Sequence, residues 1–222
     1  DLNIENGLLT ITIPQDFLDN AVYPVDVGQL TLGYTSIGTT SYQVIAEDFS
    51  GTKYSNRIST IAQTASTDGV LNNLKAYLKA TTDTETIDIK AFVNQKDSGG
   101  VGTHNQIAVT ESVNIAITTS AGWNTFNFAS EAVTNATSYI ANLTGNGYKI
   151  VGTNHSVGVA YDAVSTPMYR GNSSGSTGYA TLNASPWVTA SVDITRKCSI
   201  YATYTAAAEG ATTPKGQVIW ID

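Results

Sequence analysis

Charged side chains are scarce in this chain. Asp, Glu, Lys and Arg make up 13% of the 222 residues, about half the share usual for a soluble domain. Ser, Thr, Gly, Asn and Ala fill the difference, which leaves few general acids, general bases or metal ligands. There are two histidines, His104 and His155, some fifty residues apart, and one cysteine, Cys198. Those three ligands do not build a zinc site. A lone cysteine makes no internal disulfide, and its place in the apolar run CSIYATY marks it as a small core hydrophobe. No stretch approaches the roughly 18 apolar residues of a membrane-spanning helix. Positive charge is sparse as well: the net charge is −7 and the pI is near 4.7. That balance excludes nucleic acid as a partner, because binding it takes clustered Lys and Arg. The one dense basic pair, Arg196-Lys197, is expected to be solvated. The chain opens at Asp1 without a charged or apolar leader, so any signal or pro-segment is expected to have been removed.

What is present is short alternating apolar runs between polar, Gly-containing turns. From 39 to 206 the runs SYQVIAE, RISTIAQT, VLNNLKAYLKA, TIDIKAFV, IAVTESVNIAI, WNTFNF, SYIANL, KIVG with SVGVAYD, YATL and CSIYATYT predict roughly eight to ten strands at sandwich spacing. VLNNLKAYLKA is ambiguous, since Leu71, Leu74 and Leu78 also fit a helical face. The alternation of Leu74, Ala76, Leu78 and Ala80 with Lys75, Tyr77 and Lys79 favours a strand. KDSGGVGTHN, TSAGW, TGNGY and GNSSGSTG supply turns. No repeat of 20–50 residues is evident, which removes propellers and solenoids. The fold class is therefore all-β, an antiparallel β-sandwich at 39–206, flanked by an N-terminal β arm at 1–38 and by a linker and C-terminal strand at 207–222. In the arm LLTITIP alternates up to Pro14, QDFLDNA has the makings of one helical turn, and VYPVDV and QLTLGYT are further short strands. At the far end the linker TAAAEGATTPKG carries the strand QVIWID.

Motifs of catalysis are imitated without being supported. Asp97-Ser98-Gly99-Gly100 matches the string around a trypsin-like nucleophile, but both histidines follow Ser98, where that family places His and Asp before it. Gly171-Asn172-Ser173-Ser174-Gly175 matches the nucleophile elbow, which needs a strand before it, a helix after it, and a later His. STGYATLNAS has no helical period and no later histidine exists, so a flexible loop is expected. No phosphate-cradling glycine loop leads into a helix. Nothing in the sequence brings two acids face to face for glycosidase chemistry. The chain is thus expected not to be an enzyme and to need no cofactor. Calcium is the one metal its loops suit, with Glu47 and Asp48 as first ligands and Asp68 and Asp83 as others.

Twelve tyrosines are the remaining resource. Tyr161, Tyr169, Tyr179 and Trp187 fall near the loop AVSTPMYRGNSSGSTG. With Asp162, Arg170 and Asn172 they form a candidate sugar site, aromatic faces stacking on pyranose rings and polar groups bonding the hydroxyls. The plain alternative is that these rings line strand faces with their polar tips at the rim. Trp123, opening WNTFNF, is expected in the core. Five N-x-S/T sequons, at Asn135, Asn142, Asn154, Asn172 and Asn183, suit an exported protein but are about as many as this composition produces by chance.

The strings LLTITIPQDFLDNAVYPV and GYTSIG, followed by GWNTFNF and KCSIYATYTA, carry a resemblance. The chain resembles β-sandwich modules of phage structural proteins and of large bacterial or archaeal surface proteins. There an IP..FL..A.YPV segment precedes a jelly-roll-like domain ending in a SIY.TYT strand. The resemblance covers most of 8–206 and includes no catalytic motif. It implies a jelly-roll-like sandwich and a non-enzymatic exterior role as virion fibre, capsid decoration or cell-surface filament. The Asp-Pro usual after YPV is replaced here by Asp26-Val27-Gly28, which puts the family's use of the arm in doubt. The terminal strands, with Leu9, Ile11 and Ile13 at one end and Val218, Ile219 and Trp220 at the other, are expected to complete a sheet edge in another copy or in a neighbouring subunit. The alternative function is a carbohydrate-binding module of a secreted protein or adhesin.

Overall fold

The computed structural model describes residues 2–5, 8–11, 29–60, 62–82, 85–96, 103–109, 113–174, 187–188 and 191–207, with side chains at 29–60, 62–82, 85–96, 113–163 and 196–207. The chain divides into two compact units, Asp1–Gly28 with Ala208–Asp222, and Gln29–Ala207. In the first unit β1 (Leu2–Glu5) and β2 (Leu8–Ile11) pair as an antiparallel two-stranded sheet.

The second unit is all-β. Its strands are β3 (Leu30–Gly33), β4 (Ser41–Phe49), β5 (Thr52–Ser59), β6 (Gln63–Thr64), β7 (Gly69–Ala80), β8 (Glu85–Lys96), β9 (Thr103–Val109), β10 (Val113–Ile117), β11 (Gly122–Val133), β12 (Ser138–Gly145), β13 (His155–Ser174), β14 (Trp187–Val188), β15 (Ser191–Cys198) and β16 (Ile200–Ala206). They join in one antiparallel sheet whose main path runs β14-β9-β8-β12-β5-β4-β13-β7-β16-β3. β12 lies against β3 and β16 without bonding to either. Leu74, Leu78, Phe126, Ile200 and Tyr204 from one end of that path share a core cluster with Ile45, Ile58, Ile87, Ile89 and Leu143 from the other. The sheet thus closes on itself as a sandwich, because each half has an apolar face that only the other half covers.

β7 shows how the sequence specifies a strand. Leu74, Ala76, Leu78 and Ala80 are buried while Lys75, Tyr77 and Lys79 are half-buried, the period-2 alternation of a pleated strand. Leu71 and Leu74 are both buried although three residues apart. Both neighbouring strands shift register here, skipping Asn72: β16 pairs Thr203 with Asn73 and Tyr204 with Leu71, and β11 pairs Asn127 with Asn73 and Glu131 with Leu71. A bulge at Asn72 therefore turns both leucines inward. That one extra residue produces the helix-like spacing seen in the sequence.

β13 ties the architecture together. Its first part is antiparallel to β4, with Tyr161 opposite Ser41, and it touches the end of β7. Its later part pairs with β15 and then runs antiparallel to β5, with Arg170 opposite Ile58. β4 and β5 are themselves antiparallel, so β13 must bend strongly between Tyr161 and Arg170.

Several expectations change. The arm expected over 1–38 loses 29–38 to the sandwich, since β3 pairs with β16 from Tyr201↔Gly33 to Tyr204↔Leu30. Gly33 adopts φ +137°, and a Cβ there would sit 2.3 Å from the Ile200 carbonyl oxygen, so this edge contact needs glycine. RISTIAQT is split between β5 and β6. KIVG is not a strand: Gly147–Lys149 form a 3₁₀ turn capped by the Asn146 side chain, which accepts from the Tyr148 N–H. Gly171–Ser174 lie in β13 rather than in a flexible loop. VLNNLKAYLKA is the strand expected. QDFLDNA, YATL, Asp97–Gly100 and QVIWID lie outside the described residues.

Candidate functional sites

Of the expected assembly residues, Leu9 and Ile11 lie in β2, opposite Ile4 and Leu2. The register places these four aliphatic residues at positions sharing one face of the ribbon. Ile13, Val218, Ile219 and Trp220 lie outside the described residues.

The expected sugar residues are only partly brought together. Tyr161 is 9% exposed and belongs to the core cluster. The Arg196 guanidinium lies 4.5 Å from its ring centroid, a cation–π contact, and Arg196 also donates to Gln43. A ring covered this way is no stacking surface for a sugar, which corrects the expectation for Tyr161. Asp162 is engaged within the chain as well. Its Oδ2 accepts from the Tyr34 hydroxyl at 2.6 Å, and its Oδ1 accepts from the Thr39 N–H at 2.7 Å and the Thr39 hydroxyl at 3.0 Å. The Tyr34 hydrogen bond, with the Thr39 N–H, holds the Asp162 carboxyl below the usual aspartate range, and the same bond to Asp162 raises the Tyr34 phenol. Lys197 sits 4.1 Å from the centroid of the Tyr34 ring. Arg196 and Lys197, expected to be solvated, are thus half-buried on aromatic faces. The group is a staple fastening the segment after β3 to β13. Gly38 completes it, donating to Ser199 Oγ at 2.7 Å where a Cβ would lie 2.5 Å from Tyr161 Cα. Tyr169 and Arg170 pair with Asp193 and Val192 in β15, Asn172 pairs with Asn56, and Trp187 pairs with His104. Tyr179 lies outside the described residues.

The expected calcium ligands are held by other partners. Asp48 is 5% exposed; its Oδ2 lies 2.7 Å from Lys53 Nζ and its Oδ1 accepts from the Gly51 N–H at 2.8 Å. The Lys53 ammonium holds this carboxyl below its ordinary range. Asp48 therefore closes the β4–β5 hairpin rather than a metal site. Glu47, half-buried, is its neighbour in β4, opposite Ser156. Asp68 accepts from the Asn135 N–H at 2.7 Å, and Asp83 lies outside the described residues. Nearby, Glu85, 2% exposed, meets His155 Nδ1 at 2.5 Å. Among the described residues no group of three or more His, Cys, Asp and Glu is placed to hold a metal, and no helix is long and apolar enough to cross a membrane. Cys198 is 1% exposed as expected, and burial pushes its thiol up to about 12.

Two features were missed in the sequence. The first is a buried polar network on the outward side of β5, β12 and β8. Asn142, fully buried, accepts at Oδ1 from Arg57 Nε at 3.1 Å, Arg57 Nη2 at 2.7 Å and Ser59 Oγ at 2.6 Å. Its Nδ2 donates to Asn94 Oδ1 at 2.8 Å and to the Ile140 carbonyl at 2.8 Å. Arg57, 2% exposed, also donates to Asn94 and lies 4.4 Å from the Phe92 ring centroid. Desolvation pulls its guanidinium well below the ordinary arginine range. The second is an aromatic row across β11, β7 and β16. Trp123 is 37% exposed, so it is not the core residue expected. It meets Tyr77 at 5.4 Å and Tyr201 at 5.2 Å, each edge-on at 72°. Its parity with Tyr77 in the β11–β7 register fixes it on the outer face, whereas Phe126 fills the core.

Comparison with protein-family models, with curated proteins and with solved structures gives no match.

Proposed function

We propose that this protein is an extracellular structural subunit, on the exterior of a virus particle or a cell-surface filament, that assembles through its terminal segments. One observation carries the reading: a two-stranded sheet formed apart from the sandwich sheet, with Leu2 opposite Ile11 and Ile4 opposite Leu9. An isolated two-stranded ribbon is marginal in water, and four aliphatic positions on one side call for a covering surface. Its strand edges suit pairing with another sheet. The C-terminal run with Val218, Ile219 and Trp220 would act in the same way. The sandwich serves as the block the ribbons join.

The test keeps the full chain and replaces Leu9 and Ile11 together by lysine. Light scattering at several concentrations, with electron micrographs, should show assemblies for the natural chain and monomers for the variant. Far-UV circular dichroism should be unchanged. A natural chain that stays monomeric at every concentration, or a variant that assembles normally, sinks the proposal.

A further inference from the structure

One long strand of the sandwich sheet is paired on one side only. Among the described residues β11, twelve residues from Gly122 to Val133, pairs with β7 alone; β9 comes near it without pairing. The direction of its backbone groups follows from β7. The Tyr77 N–H donates to the Ser199 carbonyl at 3.0 Å, so Tyr77 turns its backbone groups toward the β16 side. Tyr77 stands opposite Trp123, and in an antiparallel ladder that pair is then one without mutual bonds. Trp123, and with it Thr125 and Asn127 at two-residue spacing, therefore point their N–H and C=O groups away from β7. Among the described residues nothing bonds those groups.

This edge is open to a further strand. Trp123, Thr125 and Asn127 are exposed, and the indole reaches across β7 to Tyr201, so it does not cover the edge. Sheet edges are commonly blunted by lysine, proline or short length. From Gly122 to Ser130 this strand has neither a charged residue nor proline, and its register with β7 is regular from Gly122 to Asn127. The core side of the edge is apolar and incompletely closed. Residues 118–121 carry the chain from β10 to β11, and Val113 and Ile115 in β10 and Phe128 in β11 pack against the core cluster yet are only partly buried. A strand added here needs aliphatic side chains on its core-facing side. The β1–β2 ribbon has that pattern, with Leu2, Ile4, Leu9 and Ile11 at positions of one face and Thr10 at a position of the other.

We propose that the Trp123–Asn127 edge of β11 is the acceptor to which the β1–β2 ribbon of a neighbouring copy adds as a further strand. This acceptor rests on assembly through the terminal segments and gives the ribbon its partner: backbone bonds at Trp123, Thr125 and Asn127, and an apolar rim at Val113, Ile115 and Phe128 for its aliphatic face.

Two substitutions and one exchange measurement test it. Thr125→Pro removes an N–H that points outward, so it breaks no ladder bond to β7, and Thr125→Lys puts a charge on the edge. Both full-length variants should be monomeric by light scattering at concentrations where the natural chain assembles, with far-UV circular dichroism unchanged. The backbone amides of Trp123, Thr125 and Asn127 should exchange at least about tenfold more slowly in the assembled natural chain than in the monomeric chain with Leu9 and Ile11 replaced by lysine. That comparison alters no residue of β11, so it decides even where a Thr125 variant fails to fold. Normal assembly by Thr125→Pro, or equal exchange at these amides in the two chains, overturns the acceptor while leaving assembly through the ribbon intact. A natural chain that never assembles overturns both.

Discussion

The two layers of the sandwich treat their outward faces differently. On β7, β11 and β16 the outward residues include Lys75, Tyr77, Lys79, Trp123, Asn127 and Tyr201, half-buried or exposed, opposite an inner row with Leu74, Leu78, Phe126 and Ile200 buried. On β5, β12 and the adjoining part of β8 both faces are buried: Ile58, Ala141 and Leu143 point into the core cluster, and Arg57, Ser59, Asn94 and Asn142 on the opposite face are buried too. A polar group denied water must find partners inside the protein, and this face supplies them to one another around Asn142. In the open layer outer residues such as Trp123 and Asn127 reach the solvent. The covered layer's polar groups are committed to holding the layer together.

Substitutions should separate the layers by size of effect. The inner rows should behave alike: Leu74→Ala in the open layer and Leu143→Ala in the covered one should each cost about 2–5 kcal/mol in urea unfolding. A difference larger than the spread of such core truncations would show that the layers do not share one core. The outward faces should diverge. Asn142→Ala strands donors on Arg57 and Ser59 and should cost on the order of 2–4 kcal/mol. Asn127→Ala on the exposed face of β11 should stay within about 0.5 kcal/mol. Equal costs for these two asparagines would erase the contrast.

A smaller effect should appear in acid. Asp162 has a carboxyl pKa lowered in the folded chain by Tyr34 and Thr39. Its contribution is therefore complete above the pKa of an unfolded aspartate and is lost as pH falls through the lower, folded value. Asp162→Asn should flatten the stability-against-pH curve in that acid window and leave its neutral limb parallel to that of the natural chain. An unchanged acid limb would remove Asp162 from the staple. The mildest probe is chemical. Cys198, buried where β15 passes into β16 and with its thiol raised to about 12, should resist a maleimide in the native state and react on unfolding in urea. Rapid native labelling would show that this junction opens readily.

The open layer was legible in the sequence because its alternation is visible locally. The covered layer was not. SYIANL and RISTIAQT read as ordinary sandwich strands, and nothing near Arg57 or Asn142 signals that the second face is also shielded; their partners come from strands 37 and 85 residues apart. The same distance hid the end of the arm, since β3 is recruited by β16 far along the chain. The Asp162 staple joins residues 123 positions apart, so aspartate beside tyrosine read as a surface pair. Trp123 misled for a different reason. Its place at the head of WNTFNF suggested the interior, but strand parity gave that place to Phe126.

Asn142 heads the tripeptide Asn142-Leu143-Thr144, a glycosylation sequon, yet in the folded chain its amide is fully buried and bonded at both ends. In a host that attaches oligosaccharides to nascent chains, modification and folding would therefore be a race. Molecules decorated at Asn142 could not close the sandwich, whereas Asn135 and Asn154, both exposed, would tolerate the same addition. Production in such a host should split into a secreted fraction bare at Asn142 and a retained fraction that carries sugar there.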